Sequence, residues 1–520
     1  MRDHDHSGCC GCHIGAINRR TFLAAAGGAA VSAAAISGCA TARRTSAVAA
    51  PAPRLDFAAG RKPLIVQPAL TYHVYQRREA TSWRPWGGLH TQNDVEAEIR
   101  RIEGELRALV SRAEFPIVCR PIGHVTTLEQ AEALRKNEAD LMLVYAASGG
   151  HIEHLVAPER FNLVFVRHKS GPVYLWYEIA HPWLLRKAVD EYGQPGLEPY
   201  DVVVDAYDDL LWRCRALYAL KNTVGSRMVA VGGPSGWGAG GRQAPQIAAD
   251  IWKIDIQTVT YDELGKRIAA AKADPARVRR AQTEAAAYLK LPGTKLETDM
   301  GFVDRAFLLK HIFDDLMAEA NTGAITINDC MTTIIPMSET TACLALTLIN
   351  DEGGMAFCES DFVVIPSGVL LHHIAATPVF LQDPTYPHHG VVTLAHCTAP
   401  RKMDGKRLEK ARILTHFESD YGAAPKVDMR IGQTVTVLDP DFANQRWIGF
   451  RGKIIDNPFL DICRSQIDVA IEGEYTKLME QMRGFHWMLA YGDHLKETGY
   501  ALRKLGVGWY NLTSDRSVET

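Results

Sequence analysis

Short apolar runs alternate with amphipathic stretches along the first two thirds of this chain, and no other feature restricts its fold as strongly. Residues 63–70, 115–120, 141–147, 163–166 and 173–178 read as short buried strands, and 93–113 carries apolar residues at helical spacing. A helix over 210–222 closes this first unit. A strand at 226–232 restarts the pattern, followed by helices at 243–251, 277–289, 303–320 and 341–349 and strands at 325–328 and 354–358. Strands that alternate with helices imply mostly parallel sheets with helices on their faces. After about Val392 the rhythm changes. Strand-like runs at 392–396, 413–417, 434–438, 447–455 and 467–471 follow one another with turn residues between them, before a helix at 485–505 and a last strand at 507–512. The expected architecture is α/β: two Rossmann-like α/β domains (61–222 and 223–355), then a β-rich, barrel-like C-terminal domain (356–520) closed by a helix.

The N-terminal residues read as an address. Asn18-Arg19-Arg20-Thr21-Phe22-Leu23 fits a twin-arginine export signal, an Ala/Gly-rich apolar stretch follows, and Ile36-Ser37-Gly38-Cys39 looks like a bacterial lipobox. Ala40 and Ala42 offer a competing cleavage site. We therefore expect a signal over 1–39, a tether over 40–60, and a periplasmic or cell-envelope location with lipidation at Cys39. That export route carries folded proteins, which favours a cofactor loaded beforehand. Cys9, Cys10, Cys12 and His13 resemble a metal cluster but precede the signal, so they receive no role in the mature protein. Beyond the first forty residues no apolar run approaches the roughly 18 residues of a membrane span, which leaves the lipid anchor as the membrane contact. Lys plus Arg number 57 against 60 Asp plus Glu, a net charge of −3, which argues against a nucleic-acid partner. Seven cysteines follow Cys39 without a close pair, so a disulfide framework is not expected.

Two sets of residues carry chemistry. Gly236, Gly238 and Gly241 fit G-x-G-x-x-G after a strand, with Asp255 and Asp262 near the position of a ribose-binding acid. In so glycine-dense a stretch such a match is cheap, and they read more simply as a flexible loop over a binding cleft. The second set is Asn328-Asp329-Cys330, Glu339, the strand-end run Cys358-Glu359-Ser360-Asp361, Gln382-Asp383, His388-His389, His396-Cys397 and His486. Strand-end carboxylates with histidines suit a hard or borderline divalent cation. Glu359 and Asp361 compete for one ligand position. Glu339 and Asp361 also read as helix caps, and His486 as a core or surface histidine.

The stretches "CESDF", "TPVFLQDPTY", "LAHCTAP" and "GFHWMLAYGDHLKETGYALRKLG" together resemble the L-fucose isomerase / L-arabinose isomerase superfamily, over roughly residue 324 to the C-terminus. The resemblance implies one divalent ion, Mn²⁺ first and Mg²⁺, Co²⁺ or Zn²⁺ as alternatives, held by Glu339, Asp361 and His486. It implies aldose–ketose isomerisation through an enediol, with Glu339 and Asp361 as ligand and proton shuttle. His396, Glu359, Asp383 and Arg401 would contact a carbohydrate substrate, and family members commonly form trimers or hexamers, implying a homo-oligomer. The chain departs from an arabinose-type pattern at Trp487, where a second His is expected. Two other readings stay open: a lipid-anchored periplasmic carbohydrate-binding protein, and a nicotinamide-dependent sugar oxidoreductase.

Overall fold

The computed structural model describes residues 56–57, 60–84, 87–185 and 193–514. The export signal, Cys39 and nearly all of the tether lie outside the described residues. Six strands, β1 (Leu64–Thr71), β2 (Ile117–Cys119), β3 (Gly123–Val125), β4 (Leu141–Ala146), β5 (Phe161–Val166) and β6 (Val202–Val204), form a first sheet in the order β2-β1-β4-β5-β6, with β3 continuing alongside β1. Every pairing in it is parallel. Burial on both faces explains the unbroken apolar runs: all six residues of β4 are buried. The helices Gln92–Arg112 and Leu128–Arg135 each start at a capping box, Thr91 with Asp94 and Thr127 with Gln130.

A second parallel sheet takes the order β11-β10-β7-β8 from β7 (Arg227–Val231), β8 (Asp255–Val259), β10 (Ala324–Ile327) and β11 (Met355–Phe357). β9 (Thr294–Leu296) instead joins a small sheet with β14 (Lys410–Leu414) and β15 (Ala424–Asp428).

The C-terminal region holds a closed barrel. β12 (Phe380–Pro384), β13 (Val391–His396), β16 (Thr434–Pro440), β17 (Arg446–Asp456), β18 (Ser465–Glu472) and β19 (Trp487–Tyr491) run β16-β19-β12-β13-β18-β17, and β17 pairs back to β16. All six pairings are antiparallel, so closure leaves these strands without a free edge. β20 (Gly508–Asn511) adds to β17 in parallel. Alternate barrel residues, among them Val392, Leu394, Val435, Val437, Trp487 and Leu489, share a core cluster with Val229, Val231, Ile325 and Ile327 of the second sheet.

The helix Ile365–Ala375 is apolar all round, and residues 365–374 are all buried, the pattern of a helix enclosed by other elements. At Gly368 a Cβ would stand 2.7 Å from Met488 of the barrel and 2.7 Å from Phe357 of the second sheet, so glycine lets the helix wedge between them. Two segments differ from expectation. Residues 173–178 give the short helix Trp176–Ala180 rather than a strand. The long helix expected over 485–505 divides into β19 and the helix Leu495–Lys504. Gly484 and Gly492 bracket six consecutive buried residues there, a run length that suits a strand, and Gly492 turns the chain at φ +104°. Among the described residues no single helix is long and apolar enough to cross a membrane.

That C-terminal helix is tied to the first sheet by Asp201, which is fully buried just before β6. Its carboxylate accepts from Tyr500 Oη at 2.6 Å and from Lys504 Nζ at 2.6 and 2.7 Å. Asp201→Ala leaves both donors without their acceptor. It is expected to cost about 3–5 kcal/mol, read as a lower denaturation midpoint in urea at unchanged m-value.

Candidate metal centre

β11 ends at Phe357, and Cys358 to Asp361 turn the chain into the helix Ile365–Ala375. Glu359 and Ser360 take successive left-handed conformations, at φ +66° and +46°. Such backbone costs energy for non-glycine residues and persists where the surroundings hold it. Here the Gly-rich loop after β7 supplies the hold. Ser235 N donates to Ser360 O at 3.0 Å, Phe362 N donates to Ser235 O at 3.0 Å, and Trp237 N donates to Asp361 Oδ1 at 3.3 Å.

The loop's glycines are accounted for by this closure. A Cβ on Gly236 would lie 2.1 Å from Gly241 O, one on Gly241 would lie 2.5 Å from the Gly236 carbonyl carbon, and Gly238 has φ +80°. The two ends of the loop pack backbone to backbone. The G-x-G-x-x-G spacing therefore serves a loop folded on itself beside a site.

The barrel contributes the remaining groups. His486 stands at the start of β19, Asp383 lies in β12, and His396 ends β13. His486 Nδ1 is 2.7 Å from Asp361 Oδ2, and both side chains are fully buried. Its Nε2 faces Asp383 Oδ1 at 3.2 Å and Glu359 Oε2 at 3.5 Å. His396 Nε2 faces Glu359 Oε1 at 3.6 Å, while its Nδ1 meets Thr398 Oγ1 at 3.0 Å. Both Nε2 atoms are buried, and neither completes a hydrogen bond with any described residue. Asp439 fixes the turn into β19: it is fully buried and accepts from Arg483 N at 2.8 Å and Gly484 N at 2.6 Å. Trp237 stacks on Phe485 at 4.4 Å between ring centres and meets the His486 ring edge-on at 5.7 Å.

These residues fit a cation. Two ligand atoms about 2.1 Å from one ion stand roughly 3.0 Å apart in an octahedron and roughly 3.4 Å apart in a tetrahedron. The gaps from the two Nε2 atoms to facing carboxylates fall at or slightly above that range. Two overlapping groups, Asp383–His396–His486 and Cys358–Glu359–His396, each bring their ligand-capable atoms within 4.8 Å of one another. Burial alone would push the His486 imidazole down, but the hydrogen bond to Asp361 and the facing carboxylates of Asp383 and Glu359 hold it well above the usual histidine range. The same carboxylates favour positive charge at this place, whether a proton or a cation carries it.

The structure brings Asp361, His486, His396, Glu359 and Asp383 together. The oxygens of Asp361 are engaged by His486, Trp237 N and Val363 N. That places its carboxylate to orient the His486 imidazole, while Glu359 faces both Nε2 atoms. Glu339 is not brought into the cluster. It ends the short helix Ile335–Ser338 at φ +56°, its side chain is 55% exposed, and its carboxylate pairs with Lys272 Nζ at 2.9 Å. Arg401 does not reach the cluster either: it is fully buried over the Tyr288 ring at 5.2 Å and donates from Nε to Glu409 O at 3.0 Å. Trp237, Phe485, Thr398 and Asp439 were not singled out by the sequence, since no spacing links them to the histidines they support.

No family model and no curated protein matches the chain.

Three outcomes follow from this geometry. Asp361→Ala is expected to weaken divalent-metal affinity about 10–100-fold in competition with a chromophoric chelator, whereas Glu339→Gln leaves it unchanged. Because the carboxylates around His486 favour its protonated form, binding should release about one proton per ion. That is measured by calorimetry in buffers of different ionisation enthalpy, and apparent affinity should fall as pH falls.

Proposed function

We propose that the protein is a divalent-metal enzyme that isomerises a carbohydrate between aldose and ketose, as its resemblance to the L-fucose isomerase / L-arabinose isomerase superfamily implies. One observation carries this reading: two buried imidazole nitrogens without hydrogen bonds face two partly accessible carboxylates, Glu359 and Asp383. The cluster lies at the carboxyl end of β11, where ligands of α/β sheets commonly bind, and is completed by barrel residues. An exposed aromatic edge at Phe485, stacked on Trp237, suits the apolar C–H faces of a sugar.

In this reading Asp383, His396 and His486 hold the ion, with Mn²⁺ the first choice and Mg²⁺, Co²⁺ or Zn²⁺ the alternatives. A bound divalent ion supplies electrophilic polarisation of the sugar carbonyl. Asp361 keeps His486 turned towards the ion. Glu359, 20% exposed, takes the proton from C2 of the aldose and returns it to C1, while the hydroxyl proton passes from O2 to O1. Asp439 and the Trp237–Phe485 stack hold β19 and the rim in place. The same reading places the protein in the periplasm, anchored through Cys39 and assembled as a homo-oligomer, with a carbohydrate as its small-molecule partner.

The test joins metal content to proton exchange. Purified protein should carry divalent metal by elemental analysis and should catalyse deuterium incorporation from D₂O into one member of a panel of aldoses and ketoses. Asp383→Asn and His486→Ala should lose both properties, and Glu359→Gln should keep metal while losing at least about 100-fold in exchange rate. A wild type that holds no metal, and takes up none when it is supplied, would overturn the proposal.

A further inference from the structure

We propose that the centre holds a second cation, in a thiolate-containing position built from Cys358, Glu359 and His396 beside the first. The inference rests on the single-ion reading above and extends it. It starts from the overlap of the two ligand groups: both include His396, and Glu359 lies between the two histidines. Glu359 turns Oε2 towards His486 Nε2 at 3.5 Å and Oε1 towards His396 Nε2 at 3.6 Å. One carboxylate that offers a separate oxygen to each of two buried imidazoles has the arrangement of a bridge between ions about 3.5–4 Å apart. With two ions present the ligands divide evenly. Asp383, His486 and Glu359 Oε2 serve the first position, and Cys358, His396 and Glu359 Oε1 serve the second.

The second position differs in chemistry. It has one sulfur, one nitrogen and one oxygen donor, a set that favours a borderline cation such as Zn²⁺ or Co²⁺ over Mg²⁺ or Mn²⁺. His396 is prepared for it, since its ring is buried, Thr398 Oγ1 holds its Nδ1, and its Nε2 completes no hydrogen bond. Cys358 is the sulfur that the turn after β11 sets beside an imidazole and a carboxylate. On binding, the Cys358 thiol proton passes to solvent as the sulfur–metal bond forms. A filled second position engages both oxygens of Glu359, so the two-ion form is a resting form in which that carboxylate no longer moves protons.

Cobalt tests this directly, because a Co²⁺–thiolate bond gives a sulfur-to-metal charge-transfer absorption that oxygen and nitrogen ligands do not. Full-length protein freed of metal by a chelator is titrated with Co²⁺ alone. We expect two equivalents per chain, with the charge-transfer band growing in step with one of them. Cys358→Ser should abolish the band and halve the stoichiometry, and Asp383→Asn should keep the band. One equivalent per chain without a thiolate band in the wild type overturns the second position and leaves the single-ion reading standing. No cobalt uptake overturns both.

Discussion

The hydrogen bond between Asp361 and His486 is the constraint on which the rest of the centre depends. It links residues 125 apart in sequence and joins the turn after a parallel strand to the residue just before a barrel strand. Both side chains are fully buried, so each polar group relies on the other to offset its lost hydration. The pairing aims His486 Nε2 at Asp383 and Glu359. Asp361 also receives the backbone N–H of Trp237, so one carboxylate coordinates the Gly-rich loop, the second sheet and the barrel. Removing it leaves a buried imidazole without its partner and a loop without its anchor.

Charge balance makes this arrangement suited to a cation. Asp361, Asp383 and Glu359 surround one fully buried imidazole. A single proton on His486 cannot neutralise three carboxylates, and burial makes the remainder costly. A divalent ion offers two charges at the same place. Competition between ion and proton is thus built into the side-chain composition of the site.

Much of the architecture is legible in the sequence, because burial on both faces of a parallel sheet writes an unbroken apolar run such as residues 141–146. The switch to consecutive strands after about Val392 likewise announces the β-rich region that closes into a barrel. The misread helix at 485–494 shows the limit. Trp487–Tyr491 is apolar at every position, and such a run does not separate a strand from a buried helix. The same limit governs the site. His486, Asp361, Asp383, Glu359 and His396 stood out as chemistry-bearing residues at strand ends. Glu359 faces both imidazoles from the left-handed turn at 359–360, which leaves no spacing signature. Glu339 looked like a ligand beside them, but Lys272 and Arg305 reach it from distant helices.

The strand order of the barrel sets when such a centre can come into being. β19 lies between β16 and β12, so the ring has a gap until residues 487–491 have been synthesised and inserted. His486 enters with that strand. The half-site on the turn after β11 therefore waits for a partner made more than a hundred residues later, and β pairing over such distances is slow. A partly made chain lacks the complete set of buried groups, so the cluster exists only once the barrel has closed.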